Sequence, residues 1–212
     1  MQASLPMAMA IALSPFAIIP AIVLLLTPRP RAAGGAFLLG WLLGVGIASG
    51  ITVATALPAS DATGPSAWVA WARLALGATL LVLGIVRWRG RSRAGSSPAW
   101  LQGIQGATPR RALGLGLMLS LANPKVLLLA IAGGLAIGAA GDGWLHGLSR
   151  VLAFTLLAST SVAAPWLAFL VAPDRAMPVL ERLRAWLQAH ANAIMAVVFV
   201  ALGLLLLGKS IG

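Results

Sequence analysis

The stretch L-M-L-S-L-A-N-P-K-V-L-L-L-A-I-A, from Leu117 to Ala132, decides how the rest of the chain is read. Its two ends are apolar enough for the interior of a bilayer, yet its centre places an amide, an imino acid and a lysine in succession. Proline inside a helix removes a backbone donor and clashes with the carbonyl one turn back, so Asn123-Pro124 predicts a break. In hydrocarbon, the backbone groups freed by a break must be met by protein, water or a ligand. An ammonium at that depth costs at least about 2.5 kcal/mol by insertion scales, so Lys125 is expected to face a partner or a wet cavity.

The run containing this break, Ala112 to Ala140, exceeds the roughly 20 residues that cross a hydrocarbon core about 30 Å thick. Comparable runs recur at Leu5 to Leu26, Ala33 to Leu57, Ala67 to Val86, Leu145 to Val171 and Ala189 to Gly208. The expected fold class is therefore an all-α integral membrane protein of six transmembrane helices. Of 212 residues, 60% are hydrophobic and 9% are charged, with mean hydropathy +0.96. An ordinary soluble domain is about a quarter charged, so this composition leaves no room for a water-soluble catalytic domain. The first run has no basic segment before it and no small-residue cleavage site, and is expected to stay as a mature helix.

Charge orders the runs in space. The basic residues gather after the first, third and fifth of them: Arg29 and Arg31; Arg87, Arg89, Arg91, Arg93, Arg110 and Arg111; Arg175, Arg182 and Arg184. The positive-inside rule puts these three loops in the cytoplasm and both termini outside. The formal charge of +11 is thus a topology signal that also suits anionic lipid headgroups, and no nucleic-acid partner is expected. Residues 88–111 read as a basic cytoplasmic loop. Val179, Leu180, Leu183, Trp186 and Leu187 fall at helical spacing, predicting an amphipathic cytoplasmic segment at about 177–188.

An internal repeat is visible in outline. Ser14-Pro15 in the first run and Ser120 with Asn123-Pro124 in the fourth interrupt similar apolar sequence, Pro58 and Pro165 recur at a like interval, and Leu83-Gly84 and Leu202-Gly203 match in the third and sixth. Two halves of three spans, 1–87 and 112–212, must insert in opposite orientations, which predicts two inverted three-helix repeats with helices 1 and 4 broken.

The candidate binding residues follow from these breaks: Lys125, Asn123, Pro124 and Ser120 around one, Ser14 and Pro15 around the other. Arg73 and Arg150, just inside the outer ends of their spans, are expected to make the outer half of a cavity positive. Thr52 and Ser159 stand for the polar patches Ser49-Thr52-Thr55 and Ser159-Thr160-Ser161, which also suit close helix packing. Asp61, Asp142, Asp174 and Glu181 all fall outside the spans or at their edges, so the expected counter-ion of Lys125 is an anionic substrate. The chain has no cysteine, and His146 and His190 stand at span ends. No metal site, cofactor or catalytic constellation is expected, and the protein is not read as an enzyme.

S-P-F-A-I-I-P-A-I-V-L-L-L-T-P-R-P-R from Ser14 to Arg31, F-L-L-G-W-L-L-G from Phe37 to Gly44 and S-L-A-N-P-K-V-L-L-L-A from Ser120 to Ala130 resemble the peptidoglycolipid addressing protein family of the lysine exporter superfamily. The resemblance runs along essentially the whole chain. It implies export or positioning of envelope glycolipids beside a larger lipid transporter. The expected substrate is an anionic glycolipid or lipid-linked sugar, with membrane lipids and a further copy of the chain as candidate partners. An amino-acid or small organic-anion exporter, and a non-transporting accessory subunit, are the alternatives. The match to amino-acid exporters is poorer because S-P-F-A replaces their first-span proline-glycine motif.

Overall fold

The structure is a computed structural model that describes residues 4–60, 67–90, 104, 106–140 and 143–211. Among these residues all regular structure is helical: α1 (Leu5–Ala12), α2 (Pro15–Leu24), α3 (Pro30–Ser60), α4 (Ala67–Arg89), α5 (Pro109–Leu121), α6 (Pro124–Gly138), α7 (Gly143–Ala158), α8 (Thr160–Val171) and α9 (Pro173–Ile211).

Two of these helices, α3 and α9, are each long and apolar enough to cross a membrane. Three bent pairs have the same length and composition when each is taken as one broken span: α1–α2 at 45°, α5–α6 at 66° and α7–α8 at 60°. The protein is thus an integral membrane protein with up to five such spans among the described residues. The 23-residue α4 occupies the third expected run. The breaks expected at Ser14-Pro15 and Asn123-Pro124 are present, whereas Pro20 lies within an unbroken α2.

Two features differ from expectation. The fifth run, expected as one unbroken helix, breaks at Ser159, and Pro165 lies inside α8. Thr160 turns its hydroxyl onto the Leu157 carbonyl at 2.8 Å, and Pro165 has no N–H for the Ser161 carbonyl, so the helical ladder is weakened on both sides of that point. The amphipathic segment 177–188 is helical but is not a separate surface helix. It is the first part of the 39-residue α9, and its Leu180 is buried against Ile22 and Leu25. The expected basic loop lies for the most part outside the described residues, as do Asp61 and Asp142 and the side chains of Pro58 and Lys209.

Helix α3 is the hub. Phe37, Trp41 and Val45 on one of its faces are fully buried. It runs parallel to α5–α6, with Gly40 on Leu113, Gly44 on Ser120 and Gly134 on Thr52, and antiparallel to α7–α8, with Gly34 on Trp166 and Gly46 beside Thr155. Helices α4 and α9 form an antiparallel pair around Gly84 and Gly203. Lipid is as apolar as leucine, so helix association in a bilayer rests on close van der Waals contact rather than on hydrophobic burial. At Gly40 and Gly116 the approach is backbone to backbone: a Cβ on Gly40 overlaps the Leu113 carbonyl, and one on Gly116 overlaps that of Phe37.

Candidate functional site

The breaks before α2 and α6 have one local cause and nearly one geometry. A residue preceding proline is driven out of the α region, and proline at the first helical position is already set for a new helix. Ser14 accordingly has φ −79° and ψ 115°, and Asn123 has φ −81° and ψ 109°. Their side chains then differ. Asn123 caps α6, its Oδ1 accepting from the Lys125 backbone N–H at 3.1 Å. Ser14 makes no cap, and its fully buried Oγ has no hydrogen-bond partner.

Lys125 stands in the first turn of α6, 2% exposed. Its Nζ donates to Sδ of Met195 at 3.2 Å and lies 5.5 Å from the centre of the Phe199 ring, both on α9. A thioether is a weak acceptor and a ring face a partial one. Among the described residues no carboxylate pairs with Lys125, and the acids described, Asp174 and Glu181, are exposed. The N-terminus of the 15-residue α6 adds the positive end of its dipole to the ammonium.

A second cation reaches the same stretch of α9. Arg87, in the last turn of α4, donates from Nη1 to Oδ1 of Asn192 at 3.2 Å, and its guanidinium carbon lies 5.8 Å from the centre of the Phe16 ring, at the start of α2. Asn192 in turn donates to the Gly90 carbonyl at 3.2 Å, tying down the end of α4. Asn192, Met195 and Phe199 follow the i, i+3, i+7 spacing of one helical face. That face of α9 therefore holds both cations, one by the break before α2 and the other by the break before α6.

Four further polar groups collect around the α7–α8 break. Ser159 Oγ, Thr155 Oγ1, Ser161 Oγ and Trp41 Nε1 are buried without a hydrogen-bond partner. The antiparallel register of α3 against α7–α8, from Gly34 on Trp166 to Gly46 beside Thr155, brings Trp41 to the level of Ser159. Buried polar groups of this kind carry a desolvation penalty unless water or a ligand reaches them.

Other expected site residues are engaged elsewhere. Ser120 donates to the Gly116 and Leu117 carbonyls, both at 2.9 Å, and fits against Gly44. Thr52 donates to the Ala48 carbonyl at 2.8 Å and packs on Gly134. Pro15 is buried at the head of α2, Pro124 is exposed at the head of α6, and Arg150 is half-buried in α7. Arg73 falls within α4, with its side chain outside the described residues.

Sequence reasoning left Arg87 among the loop charges and passed over Phe16, Asn192, Met195 and Phe199. The polar Asn192 within an apolar run, four and seven residues before Ala196 and Phe199, was the available signal. Nothing in the sequence says which face of the last span turns to Lys125.

A family model described as Sap, sulfolipid-1-addressing protein, matches residues 5–212, and the chain belongs to this family. No curated protein and no solved structure matches the chain.

Proposed function

We propose that this member of the sulfolipid-1-addressing family exports or flips an anionic glycolipid or lipid-linked sugar of the cell envelope across a bacterial plasma membrane. The observation that carries the reading is Lys125, a buried ammonium at a broken helix whose contacts are a thioether and a ring face. A sulfate, phosphate or carboxylate is the group that such a cation and helix N-terminus lack. Both cations rest on aromatic rings, Lys125 on Phe199 and Arg87 on Phe16, contacts that an arriving anion displaces at modest cost. Met195 and Phe199 cover Lys125, so this is an occluded arrangement that opens when α9 moves. The orphaned hydroxyls and indole N–H near Ser14 and Ser159 suit the sugar hydroxyls of the same headgroup.

The architecture that supports transport is six spans in two inverted halves. The matching backbone at Ser14-Pro15 and Asn123-Pro124, and helix directions that alternate as successive crossings require, favour it. In this arrangement both termini face outward and the basic loops face the cytoplasm. Single cysteines introduced at residue 91 and near either terminus test the orientation in the otherwise cysteine-free chain. In whole cells an impermeant thiol reagent is expected to label the termini and spare residue 91; the opposite pattern inverts the topology.

A lipid is favoured over a small organic anion because the lipid-facing side of α4 and α9 carries an apolar groove. The decisive experiment is the envelope-lipid profile of cells lacking the protein. An anionic glycolipid is expected to disappear from the outer envelope and accumulate in the plasma membrane, with restoration by the wild-type chain. An unchanged profile of anionic envelope lipids rejects the reading.

A further inference from the structure

The groove between α4 and α9 has a volume of about 600 Å³ and is lined by Ile85, Trp88 and Arg89 on one side and by Ala196, Val200 and Leu204 among others on the opposite side. Its lining is almost wholly apolar, and it opens sideways, with Ile85, Trp88 and Leu204 exposed. In a membrane that opening faces acyl chains. One end alone differs: Trp88 and Arg89 supply an amphipathic ring and a guanidinium, the pair of groups that anchors a protein at the headgroup level. The groove shares a wall with the Lys125 site. Ala196 and Val200 face the groove, while their neighbours Met195 and Phe199 cover Lys125 from the other side of α9. Arg87, two residues before Arg89, points inward to Asn192 and Phe16.

We propose that this groove is a docking site for an acyl chain of an anionic lipid, with the lipid's phosphate or sulfate on Arg89, and that it is the lateral entrance through which the substrate approaches Lys125. The entrance role rests on the transport reading above; occupancy by an anionic lipid does not. A lipid is the occupant that the charge selects. A packed helix from a second copy would leave Arg89 facing a chain that carries 15 basic residues against four acidic ones. An anionic headgroup neutralises it, and the apolar remainder of the groove accepts a hydrocarbon tail.

The test places a single cysteine carrying a bimane fluorophore at Leu204 or, independently, at Ile85, on the two rims of the groove. A third labelled protein, at the exposed Leu152 of α7, is the reference for bulk lipid. Each is reconstituted in nanodiscs of phosphatidylcholine containing brominated phosphatidylglycerol or brominated phosphatidylcholine. At the rim positions, half-maximal quenching is expected at about a fivefold lower fraction of the anionic lipid, the factor one basic residue near a membrane surface contributes. At Leu152 the two lipids are expected to quench alike. Arg89→Gln is expected to abolish the preference at the rims while quenching by both lipids persists, which shows insertion, and an unchanged melting temperature of the purified variant shows that it is folded. Equal quenching by the two lipids at both rims, or a preference that survives Arg89→Gln, overturns the proposal. So does disulfide formation between unlabelled Leu204→Cys copies in place of lipid quenching, which assigns the groove to a second copy. These outcomes are read at equilibrium without export. A failed groove with an altered lipid profile removes only the docking site, and a selective groove with an unchanged profile removes only the transport reading.

Discussion

Lys125→Met is expected to abolish export of the anionic substrate and at the same time to make the protein more stable. The two effects have one origin. The substitution keeps the length and the apolar stem of the side chain and removes an ammonium that, among the described residues, meets Met195 Sδ and the Phe199 ring. Insertion scales put a central lysine at about 2.5–3.5 kcal/mol, and a desolvated cation–π contact returns about 2 kcal/mol or somewhat less, so a net gain on the order of 1 kcal/mol is expected. Thermal melting of the purified protein measures it, beside export in cells and stabilisation of the protein by added substrate. A lysine retained for structure gives the opposite sign, a loss of stability with export reduced only as far as protein level falls. Wild-type export by Lys125→Met removes Lys125 from the substrate site. Lys125→Arg keeps the charge but brings a planar, larger head into a closed space, so only partial export is expected from it.

Adding one methyl group at Gly116 is expected to be, with the same change at the facing Gly40, among the most damaging single-methyl changes in the described bundle. A Cβ there meets the Phe37 carbonyl, the Trp41 amide and the Gly40 carbonyl carbon, all main-chain atoms with no rotamer to change. Helices α3 and α5 must separate, and overpacking of this kind costs about 1–3 kcal/mol or more. Gly114, two residues earlier on α5, has open space where its Cβ would lie. Gly114→Ala removes a helix-interior glycine and is expected to stabilise by about 0.5–1 kcal/mol. The pair thus predicts opposite signs from the same chemical change, read by thermal melting and by the monodisperse yield in detergent. Similar behaviour of the two variants contradicts the close α3–α5 contact.

The legible parts of this protein were those that proline and apolar run length control. Ser14-Pro15 and Asn123-Pro124 announced their breaks because a pre-proline residue and a first-turn proline act locally, whatever packs around them. The break at Ser159 was hidden because its cause is distributed between Thr160, whose hydroxyl turns back to Leu157, and a proline several residues downstream. Lys125 was conspicuous as a charge in a hydrocarbon run, and Asn123 as the amide before the adjoining proline. Their partners were not. Met195 and Phe199 are unremarkable in an apolar helix and acquire meaning only from the rotation of α9, which tertiary packing decides. Arg87 was misassigned for a related reason: a basic residue at the end of a span reads as an anchor, and only the fold turns it inward to Phe16.

The length of α9 sets the mechanics of the site. Its 39 residues make a rod of about 58 Å, nearly twice a hydrocarbon core of about 30 Å, so a large part of it stands beyond the apolar layer. Met195 and Phe199 lie roughly 33–39 Å along the rod from Pro173. A tilt of about 10° pivoted at the Lys125 level swings the far end by about 6 Å, and the same rotation applied at that end works on the lock over Lys125 with the advantage of a long arm. Leu180, buried against Ile22 and Leu25, ties the first turns of that arm to α2, so a shift of α2 is carried along α9 to the cover over the buried cation.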